Sequence, residues 1–327
     1  MNGPRVCVAV CTKDRPEQLD RLLASLGAQA DRPEQVIVID NAPASNASED
    51  MIAARYADLA SYVREPIVGL DFARNRALHE SDGDIVAFID DDAVAAPTWV
   101  QAIRRIFAES DDVAVCTGKV DALFLETDGQ RLFEANGGFG KGNKRIVVSP
   151  SARRASDAGW RPLIAWSISL GSGCNFAIRK HVALQLGGFD EALDMGAALP
   201  GGGDLDMLWR VLEAGHDVVY EPDARAWHEH RREESETIRQ IIGHNMSLIT
   251  MLTKAVSSAK GMQRASVFAF LVWRLLKPGI RLLRRAIGRD PLPARALLSL
   301  WAHCWRGLFS YPAARTLAVS RKALSSP

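Results

Sequence analysis

Four short apolar runs, at residues 6–11, 35–40, 61–64 and 85–90, punctuate the first ninety residues and are separated by helix-length segments. That alternation is the pattern of a parallel sheet covered by helices, because two parallel strands need a long crossover between them. Between the first two runs, Pro16 suits a first helical turn, and Leu19, Leu22, Leu23 and Leu26 repeat at helical spacing. In such α/β sheets ligands bind beyond the carboxyl ends of the strands. The residues that follow the runs, Thr12 to Arg15, Asp40-Asn41 and Asp90-Asp91-Asp92, are therefore the first candidates for function. Residues 113–161, with Gly137, Gly138, Gly140 and Gly142, read as a less regular connector that touches an acceptor. Order returns over 163–230: a Gly171-Ser172-Gly173 turn, a helix over 180–186, a Gly-rich turn and a strand over 218–220. Beyond Arg239 the chain reads as helices.

At 327 residues, 47% hydrophobic and 24% charged, the chain has enough apolar material for a sizeable core. Five cysteines without metal-like spacing fit a reduced compartment, and residues 1–15 do not read as an export signal, so a cytoplasmic location is expected. The net charge of +1 hides an asymmetry. From Lys254 onward there are 14 Lys or Arg and one acid, Asp290, a balance of +13, so the preceding residues carry −12. Residues 260–289 hold eight basic residues and no acid, interleaved with Phe268, Leu271, Trp273, Leu276 and Leu283. The longest unbroken apolar stretch there, 267–273, is far short of the roughly 20 residues of a spanning helix. A helix lying on an anionic membrane is the expectation. The alternative is packing against the acidic remainder of the chain or against a second copy in a homo-oligomer. Nucleic-acid binding is not expected, because no recognition motif accompanies the charge.

Three adjacent carboxylates at the end of a buried strand repel one another unless a cation compensates, and an oxygen-rich site suits magnesium or manganese. The plainer reading of Asp90-Asp91-Asp92 is a solvated acidic turn. Gly201-Gly202-Gly203-Asp204-Leu205-Asp206 opens a helix, where a carboxylate serves either as a general base or as a cap. His228 in Trp227-His228-Glu229-His230, placed just after a strand, completes a metal site or lies at the surface. Asp40 suits the imide N–H of uracil or thymine, with Thr12, Asp14 and Arg15 framing base and ribose; turn residues explain them as well. Arg74 and Arg76 either reach phosphate or sit exposed on an amphipathic helix.

Taken in order, these motifs resemble the family 2 glycosyltransferases. The resemblance spans about residues 5–230. It runs through Val-Ala-Val-Cys-Thr-Lys-Asp-Arg-Pro at 8–16, Val-Ile-Asp-Asn at 38–41, Ala-Arg-Asn at 73–75 and Phe-Ile-Asp-Asp-Asp at 88–92. Gly173-Cys174-Asn175-Phe176, Gly187-Gly188-Phe189-Asp190-Glu191, Gly203-Asp204-Leu205-Asp206 and His228 continue it. It implies a GT-A fold, α/β with a mostly parallel Rossmann-like sheet, as a catalytic domain over 1–235, followed by a basic helical region over 236–327. It further implies an inverting, metal-dependent transfer from a nucleotide-sugar donor to a saccharide or lipid-linked acceptor. Thr12, Asp14, Arg15 and Asp40 then hold the nucleoside, with Asp90 and Arg74 in the same donor site. Asp91 and Asp92 sit at ribose, diphosphate and a manganese or magnesium ion that His228 supports, and Gly173 and Asn175 line the sugar pocket. Asp204 is the implied base. Two positions depart from the pattern: Gly203 where a glutamate is usual, which keeps Asp206 in contention as base, and Lys13 where an aromatic or small residue is usual. Gly203 also leaves open an inactive nucleotide-sugar-binding scaffold. A sugar-1-phosphate nucleotidyltransferase, the other alternative, calls for a Gly-rich loop after the first strand, where this chain has Thr12-Lys13-Asp14-Arg15-Pro16.

Overall fold

The apolar runs become strands that are hydrophobic throughout because helices cover both faces of the sheet they build. In the computed structural model, residues 3–150, 154–155, 161–171, 173–194 and 199–325 are described. The first half contains β1 (Val6–Thr12), α1 (Pro16–Gly27), β2 (Gln35–Asn41), α2 (Ala47–Arg55), β3 (Ser61–Glu65), α3 (Leu70–Glu80), β4 (Ile85–Ile89), β5 (Ala93–Ala95), α4 (Trp99–Glu109) and β6 (Val113–Ala122). It continues with α5 (Asp128–Ala135), β7 (Ile146–Ser149), β8 (Arg154–Ala155), α6 (Leu163–Leu170), β9 (Asn175–Arg179) and α7 (Lys180–Gln185). A 3-10 turn (Glu191–Leu193), α8 (Gly203–Glu213), β10 (Asp217–His228) and three long helices, α9 (Glu234–Ser258), α10 (Gly261–Ala286) and α11 (Ala294–Ser325), complete it.

The strands form one mixed sheet in the order β3-β2-β1-β4-β9-β6-β10-β7-β8, with β5 pairing β10. β3, β2, β1 and β4 run parallel, β9 is antiparallel to both of its neighbours, and β10 is parallel to β6. Along β1, Val6, Val8 and Val10 face the layer of α1 and α4, while Cys7 and Ala9 face the layer that holds Ala77, Phe176 and Leu208. The alternation is the two-residue period of a strand buried on both sides.

Two expectations are corrected. Residues 113–161 are not an irregular connector, since β6, α5 and β7 fall within them; residues 151–153 and 156–160 of that stretch, and Ser172 of the glycine turn, lie outside the described residues. The strand expected over 218–220 extends to His228, so His228 closes a strand instead of following one. Pro222 hid the continuation. A register shift between Glu221 and Ala226 lets the strand carry it as a bulge before pairing resumes.

The chain divides into two compact units. The first comprises Met1–Leu123, Phe139–Phe189 and Met207–Glu229 and holds the whole sheet. The second comprises Phe124–Gly138, Asp190–Asp206 and His230–Pro327. The C-terminal helices thus form their unit together with α5, the 3-10 turn and the first turn of α8. Within it α9 packs on α5, α10 and α11. Gly307 brings the α11 backbone so near α9 that a Cβ there would stand 2.7 Å from the Met246 carbonyl oxygen, and Thr250 Oγ1 donates to the Gly307 carbonyl at 3.0 Å.

Candidate active site

In the sheet unit, β2, β1 and β4 are adjacent and parallel, so their carboxyl ends bring Asp40, Thr12 and the 90–92 turn to one edge. Thr12 Oγ1 donates to Asp91 Oδ2 at 2.8 Å. One Arg15 nitrogen, Nη1, donates to Asp91 Oδ1 at 3.1 Å and to Asp92 Oδ2 at 3.2 Å. Asp91 is 5% exposed, and burial together with the neighbouring Asp92 charge pushes its carboxyl up to about 6 although Arg15 and Thr12 pull it down. The Arg15 guanidinium therefore does not fully offset the buried Asp91 charge.

β10 supplies the opposite wall. Its pairing with β5 sets His228 opposite Ala93, and His228 Nε2 lies 3.1 Å from Asp92 Oδ1. The Phe139 ring packs edge-on against the imidazole at 5.2 Å. Asp90, Cys174 and His228 each offer a ligand atom within 4.8 Å of the others, the one such group among the described residues. Cys174 is the member that sequence spacing missed. It reaches the site because β9 runs antiparallel to β4, with the Asp90 N–H donating to the Cys174 carbonyl. Carboxylate, imidazole and thiol donors beside the acid turn fit a divalent cation.

The nucleoside end is built from two strained turns. Asp14 and Ala42, after β1 and β2, have φ of 54° and 48°, a region that L residues enter only when surrounding contacts hold them there. Asp14 Oδ1 clasps the two turns by accepting from the Ala44 N–H at 2.8 Å. Asp40 is fully buried; Tyr62 donates to its Oδ2 at 3.2 Å, and Oδ1 has no hydrogen-bond partner among the described residues. Burial, with the Asp14 charge, raises its pKa. Lys13 is exposed to solvent.

Arg74 is not an exposed helical arginine. It is 5% exposed, with Nη1 2.9 Å from Asp71 Oδ1, Nη2 3.4 Å from the Gly173 carbonyl, and its guanidinium near the Phe176 and Phe189 rings. It thereby fastens the Gly173 turn to α3, whereas Arg76 is exposed and pairs with Glu80. The Asn175 side chain is fully engaged: Oδ1 accepts from Trp99 Nε1 at 2.8 Å, and Nδ2 donates to the Lys119 and Ala224 carbonyls. It pins β9 to β6 and β10, and Gly118 gives it room, since a Cβ there would stand 2.4 Å from its Nδ2. Asn75 likewise staples the Gly188-Phe189 turn by exchanging two hydrogen bonds with the Phe189 backbone.

The two remaining candidates belong to the second unit, and they differ. Asp206 is 1% exposed, and its Oδ1 lies 2.7 Å from Lys254 Nζ. Asp204, two residues earlier, is half-buried with no side-chain hydrogen bond or ion pair among the described residues.

Residues 7–183 match glycosyl transferase family 2, and the chain belongs to that family. It is 25% identical over 226 residues to the pre-mycofactocin glycosyltransferase of Mycobacterium tuberculosis, covering 69% of this chain and 43% of that protein. It is 26% identical over 224 residues to the succinoglycan biosynthesis protein ExoM of Rhizobium meliloti, covering 66% of this chain and 64% of that one. The chain thus spans less than two thirds of either relative. Among solved structures, the mannosyltransferase PcManGT of Pyrobaculum calidifontis, in complex with GDP-Man and Mn2+, superposes with a TM-score of 0.57 at 19% identity, covering 100% of this chain and 89% of that one. The S. aureus TarS structure superposes with a TM-score of 0.57 at 14% identity, covering 97% and 55%. The fold they share with this chain is the GT-A fold.

Proposed function

We propose that this protein is an inverting, metal-dependent glycosyltransferase that moves a sugar from a nucleoside-diphosphate donor to an acceptor hydroxyl. The observation that carries the reading is the convergence of Thr12, Arg15, Asp91, Asp92 and His228 at one end of the sheet, where burial and the Asp92 charge outweigh Arg15 and Thr12 at the Asp91 carboxyl. A manganese or magnesium ion held by Asp92, Asp91 and His228 would offset the charge that builds on the departing diphosphate. Asp40 Oδ1, buried and without a geometric hydrogen-bond partner among the described residues, suits the imide N–H of a uracil or thymine base, which favours UDP- or dTDP-sugars. Asp204 takes the proton of the acceptor hydroxyl; the oxygen attacks the anomeric carbon as the bond to the diphosphate oxygen breaks and its electron pair leaves with the diphosphate. One displacement inverts the anomeric centre. Of the two acids left open by sequence, Asp204 is favoured because Asp206 is already committed to Lys254.

The name of the succinoglycan relative favours cell-surface polysaccharide synthesis, with a saccharide or lipid-linked saccharide as acceptor. Among the described residues no helix is long and apolar enough to cross a membrane. On α10, however, Met262, Phe268, Trp273, Leu276, Ile280 and Leu283 are exposed along a helix that carries no acid. That face suits peripheral contact with an anionic membrane, at the inner face of the cytoplasmic membrane.

Calorimetric binding of UDP, dTDP and GDP, with and without MnCl2, to wild type and Asp92→Ala tests the proposal. A pyrimidine nucleotide is expected to bind only with metal and to be lost in the variant. If no nucleotide binds under any condition, the inactive-scaffold reading that Gly203 raises replaces the transferase.

A further inference from the structure

We infer that Lys254, in the helical second unit, is a positioning residue for the turn that carries the base. The inference rests on the reading of Asp204 as that base.

Lys254 lies near the end of α9. Its Nζ stands 2.6 Å from Asp190 Oδ2 and 2.7 Å from Asp206 Oδ1. Asp190 leads into the 3-10 turn and Asp206 lies in the first turn of α8, so one ammonium ties two segments of chain to a third. α11 adds a fourth, because the Tyr311 hydroxyl donates to the same Asp190 Oδ2 at 2.7 Å and its ring lies 5.9 Å from Lys254 Nζ. The Lys254 and Asp190 side chains are each 18% exposed and that of Asp206 1%, so solvent screens the pairing weakly. Burial raises the Asp190 pKa, yet the Lys254 charge and hydrogen bond, with the Tyr311 hydroxyl, bring it below the ordinary value. Removing the Lys254 cation from an aspartate as buried as Asp206 would be strongly destabilising.

Helix geometry converts this anchor into a direction for Asp204. Successive residues turn by about 100°, so Asp204 and Asp206 project about 200° apart around α8. Fixing Asp206 on Lys254 therefore turns Asp204 away from the ion cluster, and among the described residues its carboxylate has no hydrogen bond or ion pair. Gly201 and Gly202, at φ of 128° and 118°, and Gly203 offer no side chain to fix the first turn. Orientation of the base is delegated to a lysine about fifty residues away in sequence. The basic C-terminal segment thereby helps hold the turn that carries Asp204, and its +13 charge is partly spent inside its own unit: Lys322 pairs with Glu191 on the same 3-10 turn.

The test measures kcat and donor KM in the full-length protein, from nucleoside diphosphate release with UDP-glucose, dTDP-glucose and GDP-mannose, MnCl2 and water as acceptor. The variants are Lys254→Met, Lys254→Arg, Tyr311→Phe and Asp204→Asn, each with its melting temperature and pH–rate profile. Misplacing a reacting group by about 1 Å costs about 100-fold in rate, so Lys254→Met is expected to lower kcat by 10- to 100-fold. Its donor KM should stay within about twofold and its acid limb should remain in place. Lys254→Arg should recover most of kcat, because it restores the cation. Wild-type kcat in Lys254→Met, or kcat and KM worsening together, overturns the inference. If Lys254→Met does not fold, Tyr311→Phe decides: a fall of about threefold in kcat at unchanged KM supports positioning, and wild-type kcat overturns it. Asp204→Asn separates the two levels. Full activity in that variant, or no turnover of any donor by wild type, removes the proposed function itself. An inactive Asp204→Asn beside a fully active Lys254→Met removes only the role of Lys254.

Discussion

The chain buries two groups of carboxylates and treats them oppositely. After β4, Asp91 and Asp92 share one arginine nitrogen, and Asp91 is driven up to about 6. In the helical unit, Asp190 and Asp206 share one lysine, and Asp190 is held below its ordinary value. Burial is common to both groups, so burial alone does not mark a binding site. What separates them is whether the protein supplies the compensating charge. Where it does, the acids are part of the architecture; where it falls short, the remaining field is available to a ligand cation.

The sharpest way to break this contrast is through rate. Asp204→Asn is expected to lower kcat about 1000-fold and to abolish the acid limb of the pH–rate profile, while Asp206→Asn keeps that limb. Loss of the limb in Asp206→Asn instead would exchange the two roles. Stability is the next discriminator. Asp206→Ala leaves Lys254 with one carboxylate fewer in a buried site and should cost about 3 kcal/mol in denaturant titration. Asp91→Asn in metal-free buffer should have the opposite sign. A carboxyl whose folded pKa lies above its unfolded value penalises the fold above the folded pKa and ceases to do so below the unfolded one. The melting temperature of Asp91→Asn should therefore exceed that of wild type at pH 7.5, with the gap closing as pH falls from about 6 to about 4. A lower melting temperature at pH 7.5 would show that Arg15 and Thr12 satisfy Asp91 after all. The smallest effect is on α10. Burial, then the charges of Arg274, Arg281 and Arg284, push Lys277 down to about 8. Its protonated form penalises the fold below that pH and does so no longer once the unfolded lysine is also neutral. Lys277→Met should therefore raise the melting temperature by a few degrees at pH 7 and by nothing above about pH 10.5.

The sheet unit was legible because its signals are local. Fully apolar runs ending in polar residues give the parallel strands and their functional ends, and an acid triplet announces itself wherever it occurs. Pairing across long sequence distances left little trace. Cys174 reads as an ordinary small residue beside Gly173 until β9 lies against β4, and the strand around Pro222 is masked by a residue that usually ends strands. Arg74 reads in sequence either as a phosphate ligand or as a helical surface charge; Asp71 is a local i,i+3 partner, but nothing nearby in sequence foretells the Phe176 and Phe189 rings that enclose it. Lys254 was counted only as tail charge, since a single lysine on a helix normally faces solvent. The second unit defeats local reading most fully, being assembled from three separated stretches of chain.

The bulge in β10 acts as an expansion joint. Upstream of it the strand is registered on β6 and β7, and downstream it is registered on β5 and again on β6, so the two halves need not keep common step. A residue gained or lost within 222–225 can leave His228 opposite Ala93, at the expense of the Asn175 hydrogen bond to the Ala224 carbonyl. A residue lost beyond Ala226 has no such outlet: with a side-chain period of two, it would bring Glu229 to the place of the imidazole and set a carboxylate against Asp92. Length changes only a few residues apart would thus either spare the imidazole's place or completely change the ligand chemistry.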